Sequence, residues 1–321
     1  MIRLAIISDI HYAGPSEKAR RNHQFAAIKN PLRRGLVRLY RRWVWLRDPF
    51  AHNHLLDRFL EETRDADLAL ANGDYSCDSA YVGVCDDAAF ESARECLDKL
   101  RGAFGGRFHA TIGDHEIGKK MLAADRGGLR LASYHRARRE LHLAPIWKLE
   151  LGQYLLVGVT STLAAFPLFE SEALPEERAS WHELRAEHLS ELRRILSALR
   201  PTQRVLLFCH DPSALPFLWR DDVVRAALPQ LERTIIGHLH SELVFRQSQR
   251  LAGMPPIRFL GHTPRRLSSA LREARHWQPF KPLLCPSPSG VQLRKDGGYY
   301  LAALDLSGRS PAQFTFRSLR W

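Results

Sequence analysis

Short apolar runs along the chain end repeatedly in polar clusters that contain aspartate, histidine or glycine. The apolar runs cover residues 3–7, 68–71, 108–112, 205–209 and 234–236. The polar clusters follow them directly at residues 8–11, 72–74, 113–116, 210 and 237–240. Short apolar runs bounded by turn residues are typical of buried β-strands. The pattern therefore predicts buried strands that carry functional side chains at their carboxyl ends.

Segments with helical periodicity lie between these strands. Apolar residues recur at helical spacing in residues 87–100 and 183–199. Strands that alternate with helices predict a layered α/β architecture. Residues 298–305 and 313–319 are typical of two further strands that close the chain. Because the sequence has no internal repeat or low-complexity linker, we expect a single domain over residues 1–321.

The composition favours a globular protein in the cytoplasm. The hydrophobic fraction is 45%, and no apolar stretch approaches the roughly 20 residues that a membrane-spanning helix needs. The first residues resemble a strand rather than a signal peptide. The five cysteines form no CxxC pair, so we expect reduced thiols rather than a zinc ribbon or a disulfide framework.

The formal net charge of +12 predicts attraction to an anionic partner. Nucleic acid, a nucleotide and a phospholipid surface all have the required charge. A solvated basic surface that aids solubility is the alternative, and net charge alone does not separate these interpretations.

The strand-end clusters together supply the ligands of a dinuclear metal site. The candidate ligands are Asp9, His11, Asp74, Asp114, His210, His238 and His240. Carboxylates mixed with imidazoles suit manganese, iron or zinc. Seven ligands are too many for one tetrahedral ion and suit two ions that share a carboxylate. Two such ions can hold a phosphoryl group and activate a water molecule.

The ordered motifs resemble those of the calcineurin-like metallophosphoesterase superfamily. The resemblance extends from Asp9 to His240 and implies a four-layer α/β/β/α sandwich with two divalent ions, manganese first and iron or zinc as alternatives. It implies that Asp74 bridges the ions. One ion is then held also by Asp9, His11 and His240, and the other by Asp114, His210 and His238.

The same resemblance implies catalytic roles for Asp74, His115 and Glu116. His115 is expected to act as a general acid or to stabilise the leaving oxygen, with Glu116 or a nearby acid orienting it. The sequence departs from the family at Asp114, where asparagine is usual. An aspartate still offers an oxygen ligand, but its charge should hold the ion more tightly and lower its Lewis acidity.

An insertion at residues 30–60 follows the first ligand cluster. Within it, residues 32–47 form an amphipathic helical pattern with arginines opposite an apolar face. We expect membrane or acyl-chain contact from Leu36, Leu39, Tyr40, Trp43 and Leu46. In the alternative interpretation, the apolar stripe packs on the protein core while the arginines face water. A second basic run covers residues 265–275. It either caps the site with positive charge or forms an ordinary surface helix, and we favour the surface helix.

The metal motifs together with the amphipathic insertion make the chain similar to the UDP-2,3-diacylglucosamine hydrolases of lipid A synthesis within this superfamily. The similarity is to the branch from chlamydia-like bacteria in particular. The similarity to this branch rests on residues 73–78, 285–290 and 298–301. It implies a UDP-linked acylated glucosamine substrate, cleavage to UMP and lipid X (2,3-diacylglucosamine 1-phosphate), and peripheral binding to an anionic membrane surface on the inner face of the cytoplasmic membrane.

Three other functions remain open at this point. A cyclic-nucleotide phosphodiesterase would not need the amphipathic insertion. In a nuclease, aromatic residues would interleave with lysines along a groove; here they cluster with leucines, so no nucleic-acid partner is expected. A degenerate metal-binding scaffold is the non-enzymatic alternative, and the retained ligands and His115 argue against it.

Overall fold

The ten strands of the described chain form two five-stranded sheets. The computed structural model describes residues 1–20, 23–121, 126–257 and 262–320. The strands are β1 (Ile2–Ile7), β2 (Leu68–Ala71), β3 (Phe108–Ala110), β4 (Ile146–Leu151), β5 (Tyr154–Val159), β6 (Arg204–Cys209), β7 (Leu231–Ile236), β8 (Pro282–Leu284), β9 (Gly298–Leu304) and β10 (Gln313–Ser318). The strand orders are β10-β9-β1-β2-β3 and β4-β5-β6-β7-β8.

Parallel pairing brings the strand ends that carry the predicted ligands to one edge of each sheet. In the first sheet, β1, β2 and β3 are parallel, whereas β9 runs antiparallel to β1 and β10. In the second sheet, β5 to β8 are parallel and β4 is antiparallel to β5. Ligands bind at the carboxyl ends of such parallel strands.

Helices surround the two sheets. They are α1 (Pro15–Ala19), α2 (His23–Ala26), α3 (Pro31–Trp43), α4 (His54–Thr63), α5 (Asp87–Phe104), α6 (Asp114–Ile117), α7 (Leu131–Arg139), α8 (Ser161–Ala164), α9 (Phe166–Phe169), α10 (Arg178–Ser197), α11 (Leu215–Trp219), α12 (Asp222–Ala227), α13 (Glu242–Arg250) and α14 (His262–Glu273). Among the residues that the structure describes, no helix combines the length and apolar composition that crossing a bilayer requires.

The alternation of side chains along the strands produces four layers. Leu4 and Ile6 of β1 point toward the second sheet and share a core with Phe208 of β6. Ala5 and Ile7 point to the other face of β1, where they join a core with α4 and α5. The second sheet packs its outer face on α10 in the same way. The predicted α/β/β/α sandwich is thus confirmed.

Helix α3 occupies the predicted insertion and projects from the surface. None of its residues is buried, so the alternative in which its apolar stripe packs on the core is wrong. Leu36, Leu39, Tyr40 and Trp43 are all exposed, as membrane or acyl contact requires. Leu46 is not part of this face, because the helix ends at Trp43 and Leu46 is only 3% exposed. Its inclusion in the predicted contact surface was therefore wrong.

Backbone hydrogen bonds attach the carboxyl end of α3 to a later loop. The N–H of Leu293 donates to the carbonyl of Val44 at 3.1 Å, and the N–H of Gln292 donates to the carbonyl of Trp45 at 2.5 Å. The side-chain oxygen of Gln292 also accepts from the N–H of Arg47 at 2.7 Å. These bonds fix α3 although its side chains bury no core.

His188 is a buried residue of α10 whose ring has no hydrogen-bond partner among the described residues. Only 4% of the residue is exposed, and both ring nitrogens are buried and unbonded. Burial lowers the pKa of His188 to about 4. The folded protein therefore keeps this ring neutral. Its buried nitrogen atoms without hydrogen bonds lower the free energy of unfolding.

We expect His188→Leu to raise the free energy of unfolding by about 1 kcal/mol at pH 7, because leucine needs no hydrogen bond. The unfolded chain binds a proton at the ordinary histidine pKa of about 6.5, whereas the folded chain binds it only near pH 4. Wild-type stability should fall as the pH drops through this interval, and the advantage of the variant should grow.

Urea denaturation at pH 7 and pH 5 measures this difference. The control is His182→Leu on the same helix, because His182 is exposed and its ring bonds to Glu170 at 3.0 Å. This control should give no gain in stability. A His188→Leu variant that is less stable than the wild type at both pH values contradicts the prediction.

Candidate metal centre

Five of the seven predicted ligands adopt a left-handed backbone conformation. The residues with φ angles between 49° and 63° are Asp9, His11, Asp74, His238 and His240. This conformation is uncommon in residues other than glycine, and it concentrates at functional sites. Hydrogen bonds between neighbouring strand ends hold it, such as that from the N–H of Asp9 to the carbonyl of Gly73 at 3.1 Å.

Two glycines let the ligand loops approach one another. A Cβ atom at Gly113 would overlap the backbone and carboxylate of Asp74, and a Cβ atom at Gly237 would overlap Ser8 and the carboxylate of Asp9. Only glycine fits at these two positions without displacing a predicted ligand.

Asp9, His11 and His240 form one group of potential metal ligands. The Nε2 atoms of the two histidines lie 3.1 Å apart. Asp9 Oδ1 lies 3.5 Å from His240 Nε2 and 4.0 Å from His11 Nε2. The Asp9 carboxylate is fixed by the hydroxyl of Ser8, which donates to Oδ2 at 2.6 Å, and by the N–H of His238. Three donor atoms from both sheets therefore converge here.

Asp74, Asp114, His210 and His238 form a second group. His210 Nε2 lies 3.1 Å from Asp114 Oδ1 and 3.2 Å from Asp74 Oδ2. His238 Nδ1 lies 3.1 Å from Asp114 Oδ1. His210 Nδ1 donates to the carbonyl of Asn72 at 2.6 Å, which directs Nε2 into the group, as is common for metal-binding histidines.

Asp74 lies between the two groups. The family resemblance implied that Asp74 bridges the two ions, and the structure groups it with Asp114, His210 and His238. It also forms a third group with His11 and His115. A carboxylate that reaches ligands on both sides fits the bridging position that the sequence predicted for it.

The protonation of the histidines fits metal binding. Burial lowers the pKa of both His11 and His240, so these imidazoles are neutral and have lone pairs to offer. Burial also lowers the pKa of His238, but the carboxylates of Asp211 and Asp114 outweigh it and raise the pKa to about 9. A proton balances the carboxylates there, and a divalent ion would displace it. The two groups thus suit two metal ions.

Comparison with known proteins shows the family to which the chain belongs. Residues 2–242 match the family model described as calcineurin-like phosphoesterase. The chain belongs to the calcineurin-like phosphoesterase family. This membership makes it a metal-dependent phosphoester hydrolase. No protein with curated annotation is significantly similar to it in sequence.

Two solved structures are similar to this phosphoesterase, and the first of them shares its fold. A dimetal phosphatase from Danio rerio has a TM-score of 0.55 and 14% identity, over 99% of this chain and 96% of that chain. The phosphopantetheinyl hydrolase from Mycobacterium tuberculosis has a TM-score of 0.34 and 15% identity, over 74% of this chain and 82% of that chain. The first similarity supports the sandwich architecture.

His115 of the phosphoesterase is oriented by a backbone carbonyl. Its Nδ1 donates to the carbonyl of Ser76 at 2.9 Å, and its Nε2 contacts the ammonium of Lys119. Nε2 also lies 3.6 Å from Asp74 Oδ2. Burial lowers the pKa of His115 to about 3, so the ring is neutral and its Nε2 lone pair faces the site.

Glu116 positions the ligand loops and does not position His115. The prediction that Glu116 orients His115 was therefore wrong. Its carboxylate accepts from the N–H groups of Gly113 at 2.8 Å, Asp74 at 3.0 Å and Tyr75 at 2.8 Å. Burial and the Asp74 carboxylate raise the pKa of Glu116 to about 8. These bonds join the ligand loops that follow β2 and β3.

Lys119 is a site residue that the sequence analysis missed. Its Nζ lies 3.3 Å from Asp114 Oδ2 and contacts His115. Burial lowers the pKa of Lys119, but the carboxylates of Asp114 and Asp74 outweigh it, so the pKa is raised and the ammonium is charged. Lys119 therefore offsets the charge that aspartate adds at position 114. Its signal in the sequence was its place as the first basic residue after Glu116.

Glu17 was also missed, because no motif surrounds it. It is fully buried and accepts from the N–H groups of Cys77 at 3.1 Å and Ser79 at 2.8 Å. Burial raises the pKa of Glu17. These bonds hold the loop whose Ser76 carbonyl orients His115.

We expect Lys119→Met to tighten metal binding and to slow catalysis. Removing a cation from beside the ligands should raise Mn²⁺ affinity by about tenfold or more. The lost positive charge should lower kcat/KM by about 100-fold, because the substrate is anionic. Isothermal titration calorimetry with Mn²⁺ and steady-state kinetics on bis-p-nitrophenyl phosphate measure the two effects.

The control is Lys120→Met, which removes the same charge one residue away. Lys120→Met should leave the Mn²⁺ affinity and kcat/KM close to the wild-type values. If Lys119→Met weakened Mn²⁺ binding, Lys119 would support the ligands in some way other than by its charge, contrary to the expectation.

Proposed function

We propose that this phosphoesterase cleaves the pyrophosphate of UDP-2,3-diacylglucosamine at a membrane surface. The products are UMP and 2,3-diacylglucosamine 1-phosphate, the lipid X of lipid A synthesis. The support comes from two features of the chain, which are the metal cluster and the exposed apolar face of α3.

The apolar face of α3 consists of large side chains that face water. Leu36 is 67% exposed and Trp43 is 60% exposed. The other members of the face are Leu32, Leu39 and Tyr40. Contiguous exposed apolar surface marks an interaction site. A helix with one such face and arginines on the other is typical of proteins that lie on anionic membranes.

Aromatic rings connect this face to the metal cluster, and this observation carries the proposal. The ring of Trp45 lies 4.8 Å from the ring of His240. Trp45 also stacks on Tyr40, with 6.2 Å between the ring centroids. A substrate whose acyl chains contact α3 could therefore place its pyrophosphate at the ligands.

The charge of the helix supports an anionic membrane. Arg33, Arg38 and Arg42 are exposed on α3, and the whole chain has a net charge of +12. Each basic residue near an anionic bilayer contributes about 1 kcal/mol of attraction. We accordingly propose peripheral binding to the inner face of the cytoplasmic membrane.

The two ligand groups would each hold one divalent ion, with manganese as the first candidate and iron or zinc as alternatives. The ligands of the first ion would be Asp9, His11 and His240, and those of the second Asp114, His210 and His238, with Asp74 between them. When bound, such ions supply positive charge at the phosphoryl oxygens and lower the pKa of water.

His115 and Lys119 are the groups of the chain that would serve the leaving oxygen. The Lys119 ammonium donates to His115 Nε2, so a proton and a positive charge lie beside Asp74. This arrangement can stabilise charge that develops on the departing phosphate. Ser76 keeps the His115 ring in the required orientation.

We expect Leu36→Asp/Trp43→Asp to abolish binding to vesicles that contain 30% phosphatidylglycerol. Each substitution removes apolar contact worth about 1.5–3 kcal/mol, so the affinity of the double variant should fall by about 100-fold or more. Vesicle sedimentation measures the loss. The control is Leu306→Asp, because Leu306 is 38% exposed. It follows β9 at the end of the sheet opposite to the strand ends that carry the metal ligands. Unchanged sedimentation of the α3 variant would remove the membrane argument.

We expect the metal-loaded protein to release UMP from UDP-2,3-diacylglucosamine in mixed micelles, since its ligands suit the pyrophosphate and α3 suits the acyl chains. Chromatography of the released UMP measures the reaction. Asp74→Ala should abolish it, which ties the activity to the ligand cluster. Bis-p-nitrophenyl phosphate and single-stranded DNA are the comparison substrates, and cleavage of DNA without UMP release would overturn the proposed substrate.

A further inference from the structure

An arginine-lined cleft lies along α3 beside Phe25 of α2. Its volume is about 400 Å³, and its lining consists of Phe25, Arg38, Arg41, Arg42 and Arg47. Four guanidinium groups around one cleft repel one another unless an anion lies among them. We name these residues the arginine cleft.

The arginines of the cleft form no ion pair with a carboxylate among the residues that the structure describes. Exposed arginines elsewhere among the described residues do form such pairs. Arg220 lies 2.7 Å from Glu273, and Arg246 lies 2.9 Å from Glu242. Among the described residues, the cleft therefore concentrates positive charge that no carboxylate pairs with.

An aromatic ring supports the cleft. The guanidinium carbon of Arg38 lies 5.3 Å from the centroid of the Phe25 ring, and that of Arg41 lies 5.8 Å from it. Cation–π contact restrains the two guanidinium groups. Guanidinium groups bind phosphate oxygens through paired N–H donors, so restraint lowers the entropy that binding would cost.

Arg41 is the arginine of the cleft that lies toward the segment of Cys77 and Tyr81. Burial lowers the pKa of Arg41, and the nearby Tyr81 and Cys77 oppose this effect. The Cys77 thiol donates to the carbonyl of His11 at 3.0 Å. Burial raises the pKa of Tyr81, and the positive charges of Arg41 and Lys119 both lower it. Positive charge thus extends from the cleft toward the ligand loops.

We propose that the arginine cleft binds a phosphate group that is separate from the phosphoryl group at the metal centre. The number of arginines favours phosphate over a singly charged carboxylate. The phosphate can come from an anionic lipid headgroup, because the apolar face of α3 lies on the same helix, or from soluble phosphate. The binding site does not depend on UDP-2,3-diacylglucosamine as the substrate.

Equilibrium dialysis of the metal-loaded protein against radiolabelled inorganic phosphate tests the site. The cleft variant is Arg38→Gln/Arg42→Gln, which changes two exposed side chains and should fold normally. The control is Arg33→Gln/Arg34→Gln, which removes the same charge from the same helix outside the cleft. We expect the cleft variant to bind one phosphate fewer per chain than the wild type and the control. Equal stoichiometry in all three proteins would overturn the proposal.

Vesicle sedimentation identifies the source of the phosphate. A larger loss of binding to phosphatidylglycerol vesicles in the cleft variant than in the control assigns the site to a lipid headgroup. An equal loss in the two variants assigns it to soluble phosphate. UMP release is a separate readout, so a failure of the proposed substrate leaves the dialysis result intact.

Discussion

Mutual repulsion of buried carboxylates is the constraint on which the rest of the site depends. Asp9, Asp74 and Asp114 are at most 7% exposed and lie within one region. Ionised groups a few ångströms apart repel strongly where water is excluded. The imidazoles, Lys119 and, when bound, divalent ions supply the balancing charge. The chain can hold these carboxylates together because backbone N–H groups also donate to them, as that of His238 does to Asp9.

The metal centre exists only where the two sheets meet. Asp9 and Asp74 follow strands of the first sheet, whereas His210 and His240 follow strands of the second. The core between the sheets, with Phe208 among its members, sets the distance between these sets of ligands. Packing far from the ligands therefore affects their geometry, and glycines at the loop ends allow the final close approach.

Helix α3 relates the metal centre to the surface. Its apolar face is exposed, its carboxyl end is tied to residues 292–293, and Trp45 directly beyond it reaches the ring of His240. The arginine cleft lies along the same helix. One insertion thus places an apolar surface, a concentration of positive charge and an aromatic contact beside the ligands.

The sequence by itself determined the strand ends and the residue types at them, because buried strands and their polar termini are local patterns. It also determined the amphipathic character of α3. It did not reveal β4, β5 and β8, which carry no ligand cluster. Only the tertiary structure decided that Glu116 holds backbone N–H groups, that Ser76 orients His115 and that Lys119 pairs with Asp114. Those contacts join loops distant in sequence, and their distances depend on sheet packing that no local pattern encodes.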